Sequence, residues 1–102
     1  MATNEADRAR MIARHSLVVR IIEINSQQMR CQSARNGLEI ERACAARDAA
    51  LPDAAPELAD LIAMLEQRMA ALDAEDGRLA VQRDFLSAGL LQFDETPTSG
   101  EQ

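Results

Sequence analysis

The clearest pattern along the chain is a series of large apolar residues seven positions apart in its second half. A second set stands four residues after each of the first five, so that the two sets alternate at steps of four and three. The first set is Leu58, Leu65, Leu72, Leu79, Leu86 and Phe93, and the second is Ile62, Met69, Asp76, Arg83 and Leu90. A repeat of this kind places both sets on one side of a helix, as in a coiled coil. We call this stripe the seam, and it predicts one long helix over about residues 54–92.

A glycine stands in the middle of this predicted helix. Gly77 follows Asp76 in the turn-like sequence "EDG". One glycine inside a helix costs about 1 kcal/mol relative to alanine. A break at Gly77 would have to keep the leucine repeat in phase on both sides by coincidence. We therefore expect the helix to continue through Gly77.

The first half of the chain also has a helical pattern. Apolar residues between Met11 and Cys31 recur mainly at steps of three and four, which predicts a helix over about residues 4–50. Thr3 or Asn4 can cap its start. The pair Asn36 and Gly37 is typical of a helix end, so a pause is expected there.

Two prolines separate the predicted helices. Pro52 cannot continue the first helix because it lacks an N–H and clashes with the preceding turn. Asp53 suits the cap of the second helix, and Pro56 suits its first turn. Residues 94–102 have no large apolar side chain and are predicted to form a disordered tail. We therefore expect one all-α domain over residues 1–93, a long antiparallel helical hairpin resembling a coiled coil, with pairing into a four-helix bundle as a further option.

Folding back at the prolines brings the two densest apolar segments together. Residues 17–24, with the sequence "LVVRIIEI", are expected to lie opposite Val81, Phe85 and Leu86. The β-branched residues of this segment also suit a strand, but no partner strand or hairpin turn is evident elsewhere. The apolar match supports a hairpin.

The same register gives the two charged seam residues partners of opposite sign. Arg30 is expected to face Asp76, and Glu23 to face Arg83, so that these pairs oppose slips of register. A parallel homodimer through the seam would instead bring like charges together at both positions. If two copies dimerise through this helix, an antiparallel arrangement is favoured because it places Asp76 against Arg83 of the other copy.

Composition and charge limit the classes of function. The chain has 102 residues, of which 47% are hydrophobic but only 2% aromatic, so stacking platforms for bases or flat cofactors are missing. Residues 1–52 carry eight arginines against six acidic residues, whereas residues 53–102 carry three against eleven. The second half therefore presents an acidic surface. Apolar runs are too short for a membrane span, and the N-terminal segment lacks a signal peptide's apolar core, so a cytoplasmic protein is expected.

No residue pattern points to catalysis, a cofactor or a metal. His15 is the single histidine and no glycine loop or nucleophile elbow accompanies it. Cys31 and Cys44 are isolated, with no ligand spacing around them, and are expected to be small buried helix residues. A basic-region zipper is not favoured either, because residues 48–57, just before the first seam leucine, contain no basic residue. We expect no catalytic, cofactor or metal site and no nucleic-acid partner.

The favoured function is a non-enzymatic adaptor, regulator or assembly subunit that binds a protein partner. The expected binding residues lie on the seam: Ile62, Leu65, Met69, Leu72, Leu79, Leu86 and Leu90. The segment "LEIERACAARDAAL", in the middle of an Arg- and Ala-rich hairpin with an amphipathic C-terminal helix, resembles the small flagellar and type III export chaperones. That resemblance implies cargo binding through the C-terminal helix. A third option is an acidic inhibitor that mimics nucleic acid toward a basic target.

Overall fold

The computed structural model of the chain is an antiparallel hairpin of two long helices. It describes the backbone of residues 2–95 and the side chains of residues 4–94. Helix α1 runs over Ala2–Ala49 and α2 over Glu57–Glu95, and the described residues contain no strand. The two helices lie side by side in a rod about 74 Å long. The predicted all-α helical hairpin is confirmed.

Both helices are continuous through their internal glycines. Gly77 lies within α2, as expected, whereas the pause predicted at Asn36 and Gly37 is wrong because α1 passes through both. Neither glycine has a positive φ. Packing along the whole length of a long helix outweighs the cost of one glycine, about 1 kcal/mol.

A short turn joins the helices. The Ala54 amide donates to the Leu51 carbonyl at 3.1 Å, and the Leu58 amide donates to the Ala55 carbonyl at 3.1 Å. Asp53 lies within this turn, so its expected role as the cap of α2 is wrong, and α2 begins directly after Pro56. Its last residue, Glu95, lies beyond the predicted end at residue 92. The remainder of the predicted tail, residues 96–102, lies outside the described residues.

The core is a narrow strip between the helices. Every seam residue of α2 is buried or half-buried. On α1 the matching positions also recur at steps of seven, and we call them the inner stripe: Arg10, Leu17, Ile21, Ile24, Gln28, Cys31, Arg35, Leu38, Arg42, Ala45 and Ala49. Ile24, Leu79 and Leu86 form a buried cluster, and Leu65, near the turn, is only 1% exposed.

This core is small for the length of the helices. Five apolar residues of the described part are buried, whereas twelve large apolar side chains are exposed. A two-helix hairpin covers one narrow side of each helix, so apolar residues at other positions stay in contact with water. In the part of the chain that the structure describes, neither helix is apolar enough over a sufficient length to cross a membrane.

Candidate protein-binding surface

A polar layer interrupts the seam at its centre. Gln28 of α1 is buried, with 6% exposure, and contacts both charged seam residues of α2. Its Nε2 donates to Asp76 Oδ1 at 3.2 Å, and its Oε1 accepts from Arg83 Nη1 at 2.9 Å. Both ends of a buried amide are therefore satisfied, as buried polar groups require. Gln28 is therefore the partner of both Asp76 and Arg83, where the sequence predicted Arg30 and Glu23.

The predicted pairs of Arg30 with Asp76 and of Glu23 with Arg83 do not form. Arg30 and Glu23 are both exposed, and each stands one residue before a member of the inner stripe. One residue corresponds to about 100° around a helix, so both side chains point away from α2. The prediction was therefore wrong about the rotation of α1 around its own axis. A search for opposite charges does not reveal Gln28, because a neutral amide can also be the partner of a charged group.

The lengthwise register, in contrast, agrees with the prediction. Three ion pairs cross from α1 to α2 along one edge of the hairpin: Arg14 Nε with Asp94 Oδ1 at 2.9 Å, Arg35 Nε with Asp73 Oδ1 at 2.6 Å, and Arg42 Nη2 with Glu66 Oε2 at 2.9 Å. They join the basic first half of the chain to its acidic second half. Because these side chains are partly solvated, the pairs contribute little stability and serve mainly to match the two arms.

The open end of the hairpin is held by two arginines of α1. Arg10 Nη2 donates to the Phe93 carbonyl at 2.6 Å, and the Arg10 guanidinium lies 5.9 Å from the centre of the Phe93 ring, within cation–π range. The hydrogen bond from Arg14 lowers the pKa of Asp94, aided by the positive charges of Arg14 and Arg10. A hydrogen bond, a cation–π contact and an ion pair therefore hold the end of α2 against α1.

The seam residues predicted to bind a partner are covered by α1. Leu65, Leu79 and Leu86 are buried, and the others are half-buried: Ile62, Met69, Leu72 and Leu90. In the closed hairpin they hold the two helices together. Their binding of another protein stays a prediction, and it requires the helices to separate. An antiparallel dimer through the seam has the same requirement.

Part of the apolar match predicted across the hairpin is wrong. Leu86 is buried, as expected, but Val81 is 71% exposed and Phe85 is 78% exposed. Phe85 stands one residue before Leu86, a rotation of about 100° that carries it off the seam. Val81 and Phe85 lie four residues apart, so they are neighbours on the surface of α2. We call these two residues the Phe85 patch.

A second stripe of uncharged, mostly apolar residues runs along the outside of α1, and it overlaps the inner stripe in the sequence. We call it the outer face of α1, and it consists of Met11, Ile12, His15, Val18, Val19, Ile22, Asn25, Ser26 and Met29. Met11 is 71% exposed, Ile22 58% and Met29 69%. Adjacent apolar residues such as Ile21 and Ile22 are the signal in the sequence, because the first faces α2 and the second cannot.

The isolated titratable and thiol groups form no chemical site. His15 is exposed, Cys31 is half-buried, and Cys44 is exposed. The expectation that Cys44 is buried is wrong, since Cys44 precedes the buried Ala45 by one position and faces outward. Among the described residues no three His, Cys, Asp or Glu side chains are grouped so as to hold a metal ion. A shallow depression along the first part of α1 is lined by that helix alone, so it is an open surface.

Comparison with known proteins provides no counterpart for this hairpin. The chain matches no protein-family model, no curated protein and no solved structure. The geometry and chemistry of its exposed faces are therefore the basis for inferring function.

Proposed function

We propose that this chain is a non-enzymatic helical module that binds another protein through the outer surface of its closed hairpin. One observation carries the proposal: twelve large apolar side chains of the described residues are exposed, against five apolar residues that are buried. Single exposed apolar residues are common, but adjoining ones on a monomer mark interaction surfaces. An adaptor, a regulator and an assembly subunit all fit this description.

The Phe85 patch is the best candidate for the anchor of such an interaction. Phe85 is the most exposed large apolar residue described, at 78%, and Val81 adjoins it at 71%. Aromatic side chains that fill a partner's pocket often dominate binding energy. Because the patch lies on a regular helix, it is presented rigidly, which suits insertion into an apolar groove.

The distribution of charge gives less support to an acidic inhibitor. Glu66, Asp73 and Asp94 of α2 are each paired with an arginine of α1. Their negative charge is partly neutralised within the hairpin, so the acidic half presents a weaker field than its sequence implies. Apolar contact is therefore the better basis for binding.

A capture experiment with matched variants tests the proposal. The wild-type chain, a Phe85→Ser variant and an Ile40→Ser control serve as baits in an extract of the native organism. Ile40 is 66% exposed on α1, so the control removes a comparable apolar side chain at another place. We expect one protein retained by the wild type and the control and lost with Phe85→Ser. Raising the salt from about 0.05 to 0.5 M should change its retention little, since screening acts on charges.

Two outcomes would contradict the proposal. One is that neither the wild type nor the control retains any protein. The other is that all three baits retain the same protein and salt releases it, which would favour the acidic inhibitor. Circular dichroism of each bait confirms that the substitutions leave the helices intact.

A further inference from the structure

The outer face of α1 has the spacing of a second coiled-coil stripe. Its central residues follow one another at steps of four, three, four, three and four: Met11, His15, Val18, Ile22, Asn25 and Met29. This is the same alternation as the seam has, and it extends over about 27 Å of helix at 1.5 Å per residue. The described chain leaves most of this face uncovered: Met11, Ile22 and Met29 are all more than half exposed, and Val18 is half-buried.

The nine residues of the outer face are uncharged, and Asp7, Arg8 and Arg14 border its first part. The remaining members of the outer face, Ile12, Val19 and Ser26, are uncharged like its central residues, although 27% of the chain is charged. Ile12 is 60% exposed and Val19 37%, so they widen the apolar strip. Two such faces can meet without bringing like charges together.

The order of residues along the stripe is nearly the same in both directions. Met11 and Met29 stand at equal distances from Arg20, as do His15 and Asn25, and as do Val18 and Ile22. Consider two copies of α1 packed antiparallel, with the two-fold axis level with position 20 along the helix. Met11 of one copy would then lie against Met29 of the other, and Val18 against Ile22. Each histidine would lie beside an asparagine that can hydrogen-bond with it. A self-complementary patch of this kind is what a two-fold symmetric interface requires.

The position of the face around α1 suits closure of a bundle. The outer stripe is displaced by one residue from the inner stripe, as Val18 is from Leu17, a rotation of about 100°. Adjacent contacts in a four-helix bundle are close to a right angle apart. On the same side of the hairpin, one position after the seam residues, α2 carries Gly77, Ala80, Asp84 and Ser87, of which three are small.

The surface area of the chain is consistent with a missing partner. Its accessible surface is 7690 Å², whereas a compact monomer of 11.2 kDa exposes about 5,700 Å². The excess of about 2,000 Å² per chain is larger than the roughly 800 Å² that each partner buries in a standard stable interface. We infer that a second copy of this chain covers the outer face of α1, antiparallel about Arg20, to give a four-helix bundle. The Phe85 patch lies on another side of the hairpin and stays exposed in this dimer.

The first test is the mass of the chain in solution. Light scattering should give twice the 11.2 kDa chain mass for the wild type and one chain mass for Val18→Glu/Ile22→Glu. Phe85→Glu is the matched control because it places a charge on an exposed apolar site outside the proposed interface, and it should stay dimeric. A monomeric wild type, or a dimer lost with Phe85→Glu and kept with the double variant, would overturn the inference.

Disulfide cross-linking tests the antiparallel register, also if the double variant fails to fold. Cys31→Ala and Cys44→Ala remove the native thiols, and Met11→Cys and Met29→Cys are then introduced into separate chains. On oxidation the mixture should give a cross-linked dimer, and each chain alone should give little. Self-cross-linking of each chain without a mixed product would show a parallel pair, and no product would show that these faces do not meet; either result overturns the inference. Because the Phe85 patch is not involved, failure here would leave the proposed partner binding intact.

Discussion

Gln28 is the residue on which the fit between the two helices depends most. Its buried amide contacts Asp76 and Arg83 at once, and no apolar residue could satisfy both. We predict that Gln28→Ala lowers the free energy of unfolding by about 1–3 kcal/mol, because two charged groups lose a buried partner. Chemical denaturation measures the change. The control Gln27→Ala alters an exposed position and should change stability by less than about 0.5 kcal/mol; equal effects of the two substitutions would contradict the account.

The pKa of Asp94 reports closure of the open end of the hairpin. The hydrogen bond from Arg14, with the charges of Arg14 and Arg10, holds this pKa below its ordinary value. We predict that Arg14→Gln raises the pKa of Asp94, which a carboxyl ¹³C titration by NMR measures. Since a lowered pKa stabilises the folded state above the ordinary pKa, this contribution is lost as the pH falls through the lowered value. An unchanged titration in Arg14→Gln would show that the two side chains do not meet in solution.

At the scale of the helices, the internal glycines offer a clean test of continuity. A Cβ atom added at Gly77 would meet nothing within 4 Å, and one added at Gly89 would lie 3.8 Å from Leu17 Cδ1. Gly77→Ala should therefore raise the free energy of unfolding by about 1 kcal/mol, since alanine favours the helix more than glycine does. Thermal or urea unfolding measures it. A loss of stability in Gly77→Ala would indicate that α2 bends or breaks at this position.

The two helices were easier to predict from the sequence than their rotation, which decides which side of each helix faces the other. The seven-residue repeat of α2 determined its seam, because only one rotation of the helix buries Leu58, Leu65 and Leu72 together. In α1 the inner and outer stripes overlap in sequence, so periodicity alone did not decide which of two adjacent apolar residues faces α2. That ambiguity misplaced Glu23 and Arg30. The rotation depends on contacts between the helices, which a pattern within one helix does not contain.

At the scale of the whole molecule, folding uses only one side of each helix. The seam and the inner stripe close the hairpin, which leaves most of the outer face of α1 and the Phe85 patch of α2 exposed to solvent. The two exposed regions lie on different sides and can therefore serve different contacts. A rod with a thin core and separate apolar faces is suited to assembly with other chains.

The central claim is that the closed hairpin, with its seam covered, is the form that binds. Arg42 Nη2 and Glu66 Oε2 lie 2.9 Å apart across the helices. Arg42→Cys with Glu66→Cys, in a chain lacking both native cysteines, therefore allows a short bis-maleimide to lock the hairpin shut. The pair is partly exposed, so its removal should change stability little.

The most direct test compares how much of the captured protein the locked and unlocked hairpins retain. The account predicts equal retention by both forms, and loss from either when Phe85→Ser is added. Retention by the unlocked form alone, unaffected by Phe85→Ser, would contradict it and would show that the partner binds the seam of an opened hairpin.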